Sequence, residues 1–101
     1  MRIEVLYVPG CPNYEPAVGR IRKVLASESV QVGIRAVPVK TEAEAKALLF
    51  PGSPTVRING EDVESTRTMV PTLSCRLYAN LSGVPSEEVL RLAVSRAKRE
   101  E

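Results

Sequence analysis

The chain contains no histidine and no tryptophan, and it has only 2 cysteines. The absence of histidine excludes Cys–His and Ser–His–Asp nucleophilic mechanisms and removes the commonest metal ligand. Without a histidine partner, a pair of cysteines is too small a ligand set for a tetrahedral structural zinc site. We therefore expect no resident metal and no cofactor.

Charge and hydropathy argue against two classes of partner. The 14 Lys+Arg and 12 Asp+Glu give a net charge of +2, which leaves no electrostatic footprint for nucleic acid. No apolar run approaches the roughly 18 residues of a membrane span, and no secretory signal is visible at the N-terminus. We expect a cytoplasmic protein, in which a cysteine pair is more typical of redox or metal chemistry than of a structural framework.

Aromatic residues are also scarce, so the core must be mostly aliphatic. The aromatic side chains are Phe50, Tyr7, Tyr14 and Tyr78. A hydrophobic fraction of 44% and a charged fraction of 26% are nevertheless ordinary for a globular protein. A length of 101 residues suits one domain, so the sequence predicts a single domain over residues 1–101.

The first part of the chain predicts a strand, a helix and a second strand. A near-continuous apolar run at residues 2–8 favours a central strand covered on both faces, and a Pro-Gly pair ends it. Apolar residues spaced by three and four predict an amphipathic helix over 14–29, with Pro16 in its first turn. Residues 30–39 are typical of a strand.

A capping box marks the second helix. Thr41 and Glu44 have the T-x-x-E spacing in which each side chain satisfies a free backbone N–H at the helix start. The predicted apolar face of this short helix consists of Ala45, Leu48 and Leu49.

A hairpin and a third helix complete the pattern. Residues 55–58 predict a third strand, and Asn59-Gly60 is a strong signal for a type I′ turn into an antiparallel fourth strand at 61–64. Ser86 is positioned to cap the last helix. The buried stripe of that helix should be Leu90, Ala93, Val94 and Ala97.

Between the hairpin and the last helix, residues 65–85 have the composition of a loop. A loop of this length in a small domain suggests a functional segment. Leu73, Leu77 and Leu81 are spaced by four, which favours a short helical turn at 73–81. The whole order is β-α-β-α-β-β-α, which predicts an α/β fold with a four-stranded mixed sheet and helices on both faces.

Two short motifs give this pattern a family resemblance. Cys11-Pro12-Asn13-Tyr14 follows the first strand, and Ser53-Pro54-Thr55 leads into the third. With the element order, they resemble the thioredoxin-like superfamily, in which C-x-x-C and an S/T-cis-Pro-T segment hold these places. Ser74-Cys75-Arg76-Leu77-Tyr78 extends the resemblance to small bacterial thioredoxin-family proteins, some of which carry an alkylmercury-lyase-like label.

The resemblance implies a thiol–disulfide oxidoreductase with Cys11 as the nucleophilic thiolate. It implies that Pro54 follows a cis peptide bond, and that Pro12, Tyr14, Ser53, Pro54 and Thr55 line the substrate site. Tyr14 stands where the family has its second cysteine. The resolving thiol must therefore be Cys75 or external glutathione.

Each cysteine also has a simpler interpretation. Cys11 precedes a helix N-terminus, where the helix dipole stabilises a thiolate, but it can equally be a small buried apolar residue. Cys75 can be a distant partner for Cys11, a second ligand for a soft metal, or a residue packed beneath the loop. A disulfide requires Cα atoms within about 7 Å.

The sequence also leaves more than one role possible for Tyr14 and Arg76, and it gives Pro54 an expected role. Tyr14 either donates a hydrogen bond to a thiolate or packs as an aromatic residue at the helix start. Pro54 is expected to leave adjacent backbone groups free to pair with an extended substrate. Arg76 either binds an anionic group or is a solvated surface arginine, which is the commoner environment for arginine.

Three functions therefore compete. The first is the oxidoreductase, acting on a protein or low-molecular-weight thiol or disulfide. The second is a non-enzymatic interaction module on the same fold, since fold does not fix function. The third is a soft-metal or organomercurial-binding protein using Cys11 and Cys75. The sequence also allows a homodimer that forms through an exposed edge of the sheet, but it does not require one.

Overall fold

The computed structural model describes residues 1–65 and 70–101. Its elements are β1 (Ile3–Tyr7), α1 (Tyr14–Ser27), β2 (Ile34–Pro38), α2 (Glu42–Ala47), β3 (Thr55–Ile58), β4 (Glu61–Asp62) and α3 (Glu87–Arg99). The predicted order of elements is therefore confirmed. None of the described helices has the length and apolar character needed to cross a membrane.

The strands form one mixed sheet in the order β2-β1-β3-β4. β1 runs parallel to β2 and antiparallel to β3, and β3 runs antiparallel to β4. β1 therefore lies inside the sheet, as its unbroken apolar run predicts. Its C-terminal end leads directly into the loop that carries Cys11.

Helices cover both faces of this sheet. Val5 belongs to an apolar cluster with residues of α1 and α3, whereas its neighbour Leu6 packs with Val39, Ala45 and Phe50. Successive side chains of a strand point to opposite faces. The helices α1 and α3 therefore lie on one face and α2 on the other, which confirms the predicted α/β architecture.

The second strand begins later than its sequence predicts. Ser29 has a φ of 56°, and the N–H of Val30 donates to the carbonyl of Leu25 at 2.9 Å. This pattern is a Schellman motif, which closes α1 and turns the chain sharply. The chain reaches the sheet only at Ile34, and α1 ends at Ser27, so both predicted boundaries were wrong.

The second helix starts as predicted but ends differently. The Thr41 hydroxyl accepts a hydrogen bond from the Glu44 N–H at 3.1 Å, which confirms the cap. At the other end Leu49 has a φ of 52°, and the N–H of Phe50 donates to the carbonyl of Ala45 at 2.8 Å. This turn leaves Leu49 72% exposed and buries Phe50, so the prediction of Leu49 on the apolar face was wrong.

The hairpin and the last helix agree with the sequence. Asn59 and Gly60 have φ angles of 54° and 83°, as a type I′ turn requires. The fourth strand is shorter than predicted and ends at Asp62. The Ser86 hydroxyl accepts a hydrogen bond from the Val89 N–H at 3.1 Å, which confirms the predicted cap of α3.

The long loop contradicts one prediction. Its residues 66–69 lie outside the described part of the chain. The predicted helical turn at 73–81 does not form, and Leu77 and Leu81 are 68% and 81% exposed. Residues 75–78 instead alternate between exposed and buried, with Arg76 and Tyr78 directed inward. This period of two is that of an extended chain.

Candidate functional site

Cys11 lies in the loop between β1 and α1. The helix begins at Tyr14, so Cys11 is three residues ahead of it. Its N–H donates to the carbonyl of Val8 at 3.0 Å, and its own carbonyl accepts from the N–H of Tyr14 at 3.3 Å. The thiol is half-buried and free. These bonds fix the Cys11 backbone against both the end of β1 and the start of α1.

Cys75 is held beside Ser53 by backbone pairing. The N–H of Ser53 donates to the carbonyl of Ser74 at 3.0 Å, and the N–H of Arg76 donates to the carbonyl of Ser53 at 2.9 Å. The two bonds make a parallel bridge between Ser53 and Cys75. The Cys75 thiol is exposed and free.

One side-chain hydrogen bond joins the segments that carry the two cysteines. The buried hydroxyl of Ser53 accepts from the N–H of Val8 at 2.9 Å. Val8 also holds the Cys11 backbone, and Ser53 holds the Cys75 segment. The fold therefore brings both cysteine segments to the same end of the sheet, although they are far apart in sequence.

The Ser53-Pro54-Thr55 segment is buried, and its polar groups are largely paired within the chain. The resemblance implies a cis bond before Pro54, and the Ser53–Pro54 bond is cis. The Pro54 carbonyl accepts from the Tyr78 hydroxyl at 2.7 Å. The Thr55 hydroxyl donates to the carbonyl of Gly52 at 2.6 Å and accepts from Arg76 at 3.2 Å.

This pairing corrects the expectation that Pro54 leaves backbone groups free for an extended substrate. The N–H and carbonyl of Ser53 are both bonded to the chain's own segment at 74–76. The carbonyl of Pro54 is bonded to Tyr78. A peptide could pair here only by displacing these bonds.

Arg76 is not the solvated arginine that its chemistry suggests. Arg76 is only 6% exposed, and its guanidinium forms a bidentate ion pair with Asp62 at 2.6 and 2.9 Å. The guanidinium also donates to Thr55 and to the carbonyl of Glu64, and it lies 4.2 Å from the centre of the Tyr78 ring. We call Arg76, Asp62, Thr55, Glu64 and Tyr78 the Arg76 cluster.

Tyr78 is the most buried ionisable group of this cluster. Burial raises the pKa of its hydroxyl above the ordinary range, because the interior disfavours the phenolate. Arg76 opposes this shift, and the negative charge of Asp62 adds to it. Tyr78 therefore acts as a neutral hydrogen-bond donor to Pro54 at any pH near neutrality.

The two remaining predicted site residues lie on the Cys11 side. Pro12 is exposed, next to Cys11. The ring of Tyr14 packs on that of Tyr7, with centroids 4.2 Å apart and planes inclined by 35°. This contact favours the packing interpretation of Tyr14 over a hydrogen bond to a thiolate.

Two grooves of the described chain lie away from both cysteines. A groove of about 200 Å³ lies between the β3–β4 hairpin and α3, and one of about 230 Å³ lies between α2 and residues 71–73. The Cys11 thiol is half-buried and the Cys75 thiol is exposed. Both cysteines are therefore at least partly open to solvent.

Sequence reasoning missed three residues that shape the site. Val8 and Asp62 gave no signal, because their roles depend on partners 45 and 14 positions away. Gly52 carries no signal of its own beyond its place in the Pro-Gly-Ser-Pro segment that follows the second helix. It has a φ of 136°, and a Cβ there would lie 3.0 Å from the Cβ of Arg76.

Comparison of the chain with protein-family models, with curated proteins and with solved structures found no match.

Proposed function

We propose that the protein is a thioredoxin-like thiol–disulfide oxidoreductase that uses Cys11 as the nucleophile and Cys75 as the resolving thiol. The observation that carries the proposal is the hydrogen bond between Val8 and Ser53, which joins the two cysteine segments. Tyr14 supplies no thiol where the resembling family has its second cysteine. The resolving thiol is then either Cys75, the other cysteine of the chain, or external glutathione, and the link between the two cysteine segments favours Cys75.

The proposed reaction balances as two thiol–disulfide exchanges. The Cys11 thiolate attacks one sulfur of a disulfide R–S–S–R′, forms a Cys11–S–S–R mixed disulfide and releases R′S⁻, which takes up a proton. The Cys75 thiolate then attacks the Cys11 sulfur and releases RS⁻. The substrate gains two electrons, and the protein is left with a Cys11–Cys75 disulfide.

Two molecules of a low-molecular-weight thiol such as glutathione return the protein to its dithiol form. The first attacks the Cys11–Cys75 disulfide and forms a mixed disulfide with the protein. The second attacks that mixed disulfide and leaves as oxidised glutathione. This cycle suits a reducing compartment such as the cytoplasm, where the glutathione pool is kept reduced.

The position of Cys11 supports its role as the attacking thiol. It lies in the loop just ahead of α1, the place that the first cysteine of C-x-x-C holds in the thioredoxin-like superfamily that the chain resembles. The exposure of Cys75 supports a substrate disulfide that is accessible at a surface.

A turnover assay tests the proposal. The protein would be given a glutathione mixed disulfide and reduced glutathione, and the formation of oxidised glutathione would be followed. We expect Cys11→Ser to abolish turnover, and Cys75→Ser to accumulate the mixed disulfide on Cys11 when reduced glutathione is left out of the assay. Ser74→Ala is the matched control, since it changes an exposed hydroxyl in the same segment. Full activity in Cys11→Ser would contradict the proposal.

A further inference from the structure

The segment that carries Cys75 has one strongly bound side chain at its centre. Cys75 and Leu77 are exposed, while Arg76 between them is buried. The Arg76 guanidinium bonds to Asp62 and Glu64, at and just beyond the end of β4, and to Thr55, at the start of β3. The segment that carries Cys75 is therefore anchored by the side chain of Arg76 as well as by its backbone bonds to Ser53.

We infer that the ion pair between Arg76 and Asp62 positions Cys75 for its reaction with Cys11. The inference rests on the function proposed above and names Arg76 and Asp62 as positioning residues, since neither is a reacting group. Backbone bonds hold the segment at 74–76 against Ser53, which in turn is bonded to Val8 and so to the Cys11 loop, and the ion pair ties the same segment to the end of β4.

The chemistry of the pair favours a positioning role over a role in stability alone. A buried ion pair gives little net stability compared with apolar residues of the same size, because both charges lose their hydration. Its particular property is a fixed geometry, and the planar fork of arginine matches a carboxylate through two bonds at once. Here those bonds measure 2.6 and 2.9 Å.

The neighbouring backbone is shaped to admit this arginine. Gly52 approaches so closely that a Cβ on it would lie 3.1 Å from the Cα of Arg76. The N–H of Arg76 donates a hydrogen bond to the carbonyl of Ser53, the residue that follows Gly52. Backbone and side chain of Arg76 are thus both held, which leaves the adjacent Cys75 little freedom to move.

Weakening the ion pair should lower the effective concentration of Cys75 at Cys11. A thiol held in place reacts as an intramolecular partner, and a looser segment loses that advantage. Arg76→Lys keeps the positive charge but loses the fork, and Asp62→Asn keeps an acceptor but loses the charge. Arg57→Lys is the matched control, because Arg57 is a half-buried arginine of β3 that bonds instead to the carbonyls of Leu48 and Leu49.

The experiment measures the equilibrium constant of the Cys11–Cys75 disulfide against glutathione in folded protein, with circular dichroism as the check on folding. We expect it to fall at least about tenfold in Arg76→Lys and Asp62→Asn and to stay within about twofold in Arg57→Lys. The rate at which iodoacetamide alkylates Cys11 should not change in either variant. A general loss of structure would change this rate, so the measurement separates the two cases. Asp62→Asn serves alone if Arg76→Lys does not fold.

Two results overturn the inference and are distinguishable. If the wild type forms the disulfide and both variants match its equilibrium constant, the positioning role is wrong and the proposed function stands. If the wild type forms no Cys11–Cys75 disulfide in any glutathione buffer, the proposed function and the inference fail together.

Discussion

The N–H of Val8 donates a hydrogen bond of 2.9 Å to the hydroxyl oxygen of Ser53, across 45 residues of sequence. Val8 follows β1 and Ser53 precedes β3, so the bond closes one end of the sheet between adjacent antiparallel strands. The carbonyl of Val8 holds Cys11, and the backbone of Ser53 is bridged to Cys75. This contact thus links the backbone segments of the two cysteines.

Replacing Ser53 with alanine should therefore destabilise the fold. The partly buried N–H of Val8 would lose its acceptor, and such a loss costs about 1–3 kcal/mol of the free energy of unfolding. Urea denaturation measures this value. Ser74→Ala is the control, and this exposed residue should change the free energy of unfolding by less than about 0.5 kcal/mol. Equal costs in the two variants would contradict the role of the Val8–Ser53 bond.

Gly52 offers a second test of the same region. Its φ of 136° disfavours any other residue, and an added Cβ would lie 3.0 Å from that of Arg76. Gly52→Ala should lower the free energy of unfolding by at least about 1–3 kcal/mol. Gly19→Ala is the control, since Gly19 lies within α1 with open space around it, and this change should add about 0.5–1 kcal/mol. If Gly52→Ala left the free energy of unfolding unchanged, the close approach of Gly52 to Arg76 would be contradicted.

The buried hydroxyl of Tyr78 predicts a particular alkaline behaviour. Because burial raises the pKa of Tyr78 in the folded protein, the unfolded chain loses this proton first, near its ordinary pKa of about 10. The contribution of Tyr78 to the free energy of unfolding is fully present below that pH. It is lost as the pH rises toward the raised pKa of the folded protein.

Tyr78→Phe isolates this contribution. Near neutral pH the variant should be less stable by about 1 kcal/mol, because the bond to the Pro54 carbonyl is lost. Above pH about 10 the difference should shrink, since only the wild type has this phenol to ionise. Urea denaturation from pH 7 to pH 11 measures both effects. Parallel pH profiles would contradict the account.

Acid should remove the contribution that the surface contact between Lys23 and Glu87 makes to the free energy of unfolding. The side-chain hydrogen bond from Lys23 lowers the pKa of Glu87 below its ordinary value, and the two groups are 2.7 Å apart. A lowered pKa stabilises the fold above the ordinary glutamate pKa, and this effect is lost as the pH falls through the folded value.

Glu87→Gln tests this contact. The variant should be less stable than the wild type at neutral pH and low salt, and the difference should disappear in acid and shrink at high ionic strength. Glu88→Gln removes a charge from the same helical turn without touching the Lys23 contact. A pH-independent difference for Glu87→Gln would contradict the assignment.

The order of elements could be predicted from sequence because each helix and turn carries local chemistry. Thr41 and Ser86 marked the helix starts, and Asn59-Gly60 marked the hairpin. Both helix ends that were misjudged are Schellman turns. Their left-handed positions are held by Ser29 and Leu49 rather than by the usual glycine, so the composition gave no warning.

The site could be predicted only in part. Short motifs single out Cys11 and Pro54 as candidates, and the implied cis bond before Pro54 is confirmed. The burial of Arg76 could not be found, because its partner Asp62 lies in another element and arginine is usually exposed. The link between Val8 and Ser53 depends on how two strands pair, which local sequence does not encode.

The most direct test of the central claim is thiol trapping followed by mass spectrometry, on wild-type protein equilibrated across a series of glutathione redox buffers. The account predicts a reversible loss of two hydrogens that links Cys11 to Cys75, and the absence of this species in Cys11→Ser and in Cys75→Ser. A glutathione adduct on Cys11 alone would contradict the role of Cys75. Two cysteines that stay reduced and unmodified in every buffer would contradict the proposed function itself.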